Sequence, residues 1–325
     1  MAAGVVAVRA DEINLYSTRE PQLVEPVIAA FTRATGITVN LTYIEVNLVK
    51  RVTEEGKQSP ADVLMTIGLD KTSQFATANL TQTIASPAID ASIPAPLRDR
   101  GGQWIGLSIR PRVVMMRADA TLDAIRYEDL ADPKWRGKLC MRSPLHQNNV
   151  ALIAAFFIHH GADKTETWLR GLKANLVHAP KGKDNDVVCE IGQGICEIGI
   201  ANTVALAQLR DGREGAEWTA WAAKVKTVPT SFNGGGAHVN LTGVALAKHA
   251  PHRDSAVKFL KFLLTPDAQT LYAAAELEVP IAANATPHPL VAAMGSFPID
   301  ALPADAIAAN QKAAIALIKK VEYGE

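Results

Sequence analysis

The stretch Ala61-Asp62-Val63-Leu64-Met65-Thr66 constrains the fold most, because its apolar residues run on without alternating with polar ones. A strand of that kind is buried on both faces and needs cover on each side of its sheet. The segments around it supply the cover. Ile13 to Tyr16 is a short apolar strand, and Ser17-Thr18-Arg19-Glu20-Pro21 is a loop entering a helix. Thr18 or Glu20 can cap that helix, and Pro21 suits its first turn, where a missing N–H is no loss. Val24, Val27, Ile28 and Phe31 then recur at helical spacing until Gly36 stops the helix. Ile37 to Ile44 alternates as a second strand, and Leu48 to Glu55 is a second helix ended by Gly56. Such alternation predicts an α/β sheet with helices on both faces.

At 325 residues the chain exceeds the size at which one core keeps growing, so two lobes are expected. Trp104 to Met116 is a long extended run that carries Arg110 and Arg112, and the first crossing between lobes is placed there. Asn149 to His159, Lys164 to Leu172 and Asp186 to Gly192 read as helices, and Ile198 to Ala201 as a strand ending at a cleft. Asn233-Gly234-Gly235-Gly236-Ala237-His238-Val239-Asn240 is a Gly-rich return to the first lobe. Ala256 to Leu264, Pro266 to Ala275 and Ala304 to Ile318 are further helices. Repeated crossings without a flexible linker imply a hinge. The boundaries drawn are 11–109 plus 238–290 for lobe 1 and 110–237 plus 291–325 for lobe 2.

Charge narrows the partners. Lys+Arg and Asp+Glu are equal at 33 each, which argues against nucleic acid, whose binding demands a basic face. No run of eighteen apolar residues exists to span a membrane. Residues 1–10, ending Val8-Arg9-Ala10, look like the tail of an export signal or an unstructured terminus. The three cysteines, Cys140, Cys189 and Cys196, cannot all pair within one chain. Without a Cys-x-x-Cys pair or a neighbouring His, metal binding by them is the weaker reading, and Cys189 reads as a small buried apolar residue. Gly-x-Ser-x-Gly, a phosphate loop and His-Glu-x-x-His are all absent from the chain, so no enzyme class is supported.

Several segments resemble, in order and spacing, the ferric-iron-binding branch of the periplasmic solute-binding proteins that feed ABC importers. They include Tyr16-Ser17-Thr18-Arg19, Pro60-Ala61-Asp62-Val63-Leu64, Gly106 to Val114 and Pro133-Lys134-Trp135-Arg136-Gly137-Lys138. Trp168-Leu169-Arg170-Gly171-Leu172, Ala201-Asn202-Thr203, His238 to Gly243 and Ala256 to Leu260 continue the match, which runs from about residue 12 to the end. No one motif decides it; the collinearity does. The resemblance implies two doubly wound α/β lobes joined by crossing hinge strands, the type II periplasmic binding protein fold. It also implies export to the periplasm, an inner-membrane ABC permease as partner, ferric ion or a ferric chelate as cargo, and a Cys140–Cys196 disulfide.

Ferric iron is a hard cation that prefers oxygen donors. Proteins of this branch supply a His, at times an acid, and two or three tyrosines. Carried onto this sequence, the His position holds Glu20, the acid falls near Ile67 or Gly68, one tyrosine becomes Asn148, and the adjacent tyrosine pair becomes Val204 and Ala205. Glu20 alone retains a negative oxygen and is the single metal-ligand candidate. The polar residues expected in the cleft are Glu20, Arg110, Arg112, Ser143, His146, Asn148, Asn202 and Thr203. Arg110 and Arg112 can present planar forks to an anion or form salt bridges within the protein. His146 is most simply a hydrogen-bonded loop residue, and Asp184 or Asp186 caps the helix after Lys183. Two cargoes remain open: a ferric chelate whose ligand brings the oxygens, or a small organic acid or other anion.

Overall fold

The computed structural model describes residues 11–84 and 86–323, so the export-tail expectation for residues 1–10 lies outside the described residues. The chain begins β1 (Glu12–Ser17), α1 (Pro21–Thr35), β2 (Thr38–Tyr43), α2 (Leu48–Glu55), β3 (Val63–Ile67), α3 (Leu69–Thr77), α4 (Pro87–Ser92) and β4 (Ile105–Arg117). It continues with β5 (Ile125–Arg126), β6 (Leu139–Cys140), α5 (Gln147–His160), α6 (Ala162–Asn175), α7 (Asp184–Gln193), β7 (Ile198–Asn202), α8 (Thr203–Arg210) and α9 (Ala216–Ala222). The last part holds β8 (Val225–Val228), β9 (Thr230–Ser231), β10 (Val239–Leu246), α10 (Arg253–Leu263), α11 (Pro266–Glu276), β11 (Val279–Pro280), α12 (Pro289–Ala292) and α13 (Ala304–Lys320).

Val24, Val27 and Phe31 give α1 its buried stripe, and Gly36 ends it in the left-handed conformation at φ 73°, its N–H bonded to the Thr32 carbonyl. Neither Thr18 nor Glu20 caps that helix with its side chain: Glu20 stands at the N-cap without such a bond. β3 is buried along nearly its whole length, as its unbroken apolar run requires. It lies between β1, to which it is parallel, and β10, to which it is antiparallel. The sheet is therefore mixed, because β10 brings the chain back from the second lobe.

β4 joins the two lobes. From Ile105 to Pro111 it pairs with β10, and Ile109 and Ser108 also face β11. From Arg112 onward it pairs with β7 and β8 instead. The strand order β2-β1-β3-β10-β4-β7-β6 thus runs through both lobes by way of one long strand. The buried Tyr127 stitches the crossing together: its hydroxyl donates to the Arg112 carbonyl at 2.6 Å and accepts from the His238 N–H at 3.0 Å. His238 follows the Gly-rich return and takes part through its backbone, its carbonyl accepting from the Arg112 N–H. These are two α/β lobes of the type II binding-protein fold.

Around α5, the Trp168 ring stacks on Phe156 at 4.0 Å, and α13 packs along α5. Cys140 of β6 is disulfide-bonded to Cys196, just ahead of β7, with Cys189 buried nearby as a free thiol. The bridge closes a loop of 56 residues. Replacing both partners by Ser is expected to lower unfolding stability by about 2–4 kcal/mol, read from urea unfolding of the two proteins.

Candidate ligand-binding cleft

Strand ends and helix starts meet at one cavity of about 440 Å³. β3 delivers Ile67 and, through the start of α3, Lys71; the loop after β2 delivers Glu45. From the other lobe come the first turns of three helices: His146, Gln147 and Asn148 at α5, Lys183, Asp184 and Asn185 at α7, and Asn202, Val204 and Ala205 at α8. Each helix start leaves backbone N–H groups without partners in its own helix and carries partial positive charge. Three of them converging make a surface ready for an anion. A cleft at the carboxyl ends of strands is also where open α/β sheets bind ligands.

The side chains add to this bias. Lys71, Arg110, Arg142 and Lys183 line the cavity against Glu45, Asp184 and Glu214. Asp184 is already neutralised from behind. Its carboxylate lies 3.0 Å from Nη1 of the fully buried Arg112 and 3.7 Å from Nη1 of Arg142. Burial alone would raise the Asp184 pKa, but the two guanidiniums outweigh it and hold the carboxyl below the usual range. Arg110 is anchored by the buried Glu278, 3.3 Å away, and Glu278 also accepts from Ser108 and from Thr242.

His146 caps α5, its Nδ1 accepting from the Asn148 N–H at 3.3 Å. Burial, with help from the Arg142 and Arg112 charges, pushes its pKa down from 6.5 to about 4. The ring is therefore neutral near pH 7. A histidine depressed in the folded state contributes stability that is whole above pH 6.5 and is lost as the pH falls towards 4. His146→Asn keeps the capping acceptor and is expected to flatten that fall, measured as Tm between pH 7 and 4.

The residues read from sequence fall into two groups. Arg110, His146, Asn148 and Asn202 line the cavity, as do Val204 and Ala205. Glu20, Arg112, Ser143 and Thr203 lie outside its lining. Glu20 is exposed and accepts from Gln22 Nε2 at 2.6 Å. Arg112 is spent on Asp184, on Asn149 Oδ1 at 2.7 Å and on Asn202 Oδ1 at 3.1 Å. The Ser143 hydroxyl accepts from the Leu145 N–H, and Thr203 is fully buried at the start of α8. Asp186, not Asp184, caps α7, accepting from the Lys183 N–H. Arg142, Lys71, Glu45, Gln208 and Glu214 were not foreseen as cavity residues. Arg142, Lys71 and Glu45 each follow the end of a strand within a few residues, which is the signal that points to them.

Iron ligands made of protein atoms are scarce here. None of the tyrosines lines the cavity: Tyr16, Tyr127, Tyr272 and Tyr323 are buried elsewhere, and Tyr43 is on the surface. Among the described residues, the one cluster of His, Cys, Asp or Glu atoms close enough to share a metal is Cys140, Glu190 and Cys196, and its sulfurs are bonded to each other.

The family model for bacterial extracellular solute-binding proteins matches residues 27–299. The chain belongs to that family. Iron uptake protein A1 of Synechocystis is 34% identical over 292 residues, covering 89% of this chain and 81% of that protein. The solved structure of a Bordetella ferric binding protein is 43% identical and superposes with a TM-score of 0.94, covering 97% of this chain and all of that one. A Trichodesmium protein in complex with iron and citrate ligands is 34% identical, with a TM-score of 0.92 over 96% of this chain and 99% of its own. The family is that of extracellular solute-binding proteins, and these three relatives are named for iron uptake, for ferric binding and for bound iron and citrate.

Proposed function

We propose that this protein is the periplasmic receptor of an ABC importer that takes up iron as a ferric chelate, held through the chelator's anionic oxygens. The observation that supports this most is the cavity itself: three helix N-termini and four cationic side chains, with hydrocarbon at Val204 and Ala205. A trivalent ion alone would meet four cations there and no phenolate, and of the carboxylates Glu45, Asp184 and Glu214 the second is already paired with Arg112 and Arg142. An iron–polycarboxylate complex brings its own oxygens and presents negative charge to Arg110, Arg142, Lys71 and Lys183. The Trichodesmium relative's iron and citrate ligands agree with a cargo of this class.

In this reading residues 11–109 plus 238–290 close on 110–237 plus 291–325 about the β4 and β10 crossing. Binding of the chelate favours the closed state, which presents both lobe surfaces to the permease. The role is carriage, with no bond made or broken. A free organic acid would satisfy the same cations, so titration calorimetry with ferric citrate and with citrate alone is the test. Tighter binding of ferric citrate supports the proposal, and equal or tighter binding of citrate overturns it. Arg142→Gln removes one charge-assisted contact and is expected to weaken ferric citrate by about 10- to 100-fold.

A further inference from the structure

The cavity does not end at Lys71. A second chamber of about 340 Å³ continues from it along the first lobe, and Thr18, Glu45 and Lys71 line both. The two chambers differ in chemistry. The first is lined by helix starts and cations. The second has a hydrocarbon floor of Leu48 and Phe75, both buried, with Val46 on its rim 64% exposed. The carboxylate of Asp70 and the amides of Asn47 and Gln74 line the same chamber, as do Lys50, which lies 3.8 Å from Glu54, and Lys71.

Two features mark this chamber as built to meet something. Asp70 is partly buried and makes no ion pair with another side chain among the described residues. Desolvation raises its pKa, and only backbone N–H groups of its own turn and the charge of Lys71 act against that. Asn47 holds a left-handed backbone, φ 64°, at the start of α2 without using its side chain as a cap. Asn tolerates that region better than other side chains, and here its amide lines the chamber instead of capping the helix. A carboxylate and amide oxygens over hydrocarbon suit a primary ammonium on a short alkyl chain, whose methylenes can lie on Leu48 and Phe75.

We propose that the second chamber takes an aminoalkyl arm of the chelator, with its ammonium on Asp70 while the iron-bearing carboxylates occupy the first chamber. The cargo is then a ferric complex of an amine-bearing hydroxycarboxylate. This assignment rests on the ferric-chelate reading above. It adds that the chelator is longer than citrate and zwitterionic.

The test uses the full chain and three ferric complexes: of citrate, of a citrate monoamide of 1,4-diaminobutane, and of the same monoamide with its free amine acetylated. The free-amine complex is expected to bind about ten-fold or more tighter than the acetylated one, the size of one charge-assisted hydrogen bond. Asp70→Asn is expected to erase that difference and to leave ferric citrate within about two-fold, the range of an uncharged neighbour. Equal binding of the two monoamides by the unaltered protein overturns the assignment whether or not the variant folds. If ferric citrate binds and the arm adds nothing, the second chamber alone is misassigned. If none of the three complexes binds, the ferric-chelate reading fails and takes this one with it.

Discussion

Asp184→Asn is expected to destabilise the protein by about 3–5 kcal/mol, the cost of removing one partner from a buried ion pair. The reason lies in what remains. Arg112 is fully buried, cannot give up its proton, and would keep Asn149 and Asn202 but lose its counter-charge. Arg142 would then face Arg112 across a neutral amide. The Asp184 carboxyl is held below its ordinary 3.8, so its contribution is whole above that pH and is lost as the pH falls through the folded value. Urea unfolding at pH 7 should therefore show the full deficit, and the variant and the parent should converge as the pH falls below 4. A deficit under about 1 kcal/mol would place Asp184 with ordinary surface ion pairs, against its buried position.

That pair shows where reading the sequence stops. The helices at Leu48–Glu55 and Ala304–Lys320 and the long strand through Arg110 and Arg112 are legible, because apolar spacing and glycine stops act locally. Arg110 and Arg112, two residues apart on one strand, look equivalent. They are not, because β4 changes sheets at Pro111, sending Arg110 to Glu278 and Arg112 to Asp184. Their partners lie 168 and 72 residues along the chain, and nothing local announces them. From sequence no helix is placed after the strand ending at Ala201, yet α8 stands there, and Val-Ala-Leu-Ala-Gln-Leu-Arg followed by Asp211-Gly212 carries a helix pattern with a stop. That omission matters, since the first turn of α8 places Val204 and Ala205 at the cavity. The Cys140–Cys196 bridge came from the resemblance; the odd cysteine count alone leaves its partners open.

The same turn of α8 carries the second large expectation. Val204→Tyr with Ala205→Tyr puts two phenols at the cavity that Arg142 and the α5 start also line. The double variant is expected to bind ferric ion with a small anion and to show a visible phenolate-to-iron absorption band that the parent lacks. Binding must displace two phenolic protons whose ordinary pKa is near ~10, so the variant's iron affinity should fall steadily as pH is lowered. Both positions are more than nine-tenths buried, so circular dichroism must first show that the variant keeps its fold. A folded variant without the band would mean that the geometry of this turn does not hold iron even when the oxygens are supplied.

The central claim is that the cargo brings the iron's oxygens and the protein grips the carrier. The direct measurement is to load the unaltered protein with ferric citrate, pass it through gel filtration, and count iron and citrate in the complex while recording its visible spectrum. Iron and citrate eluting together with the protein, without a phenolate band, is the predicted result. Iron retained after citrate has gone, or a phenolate band in the parent protein, would contradict it.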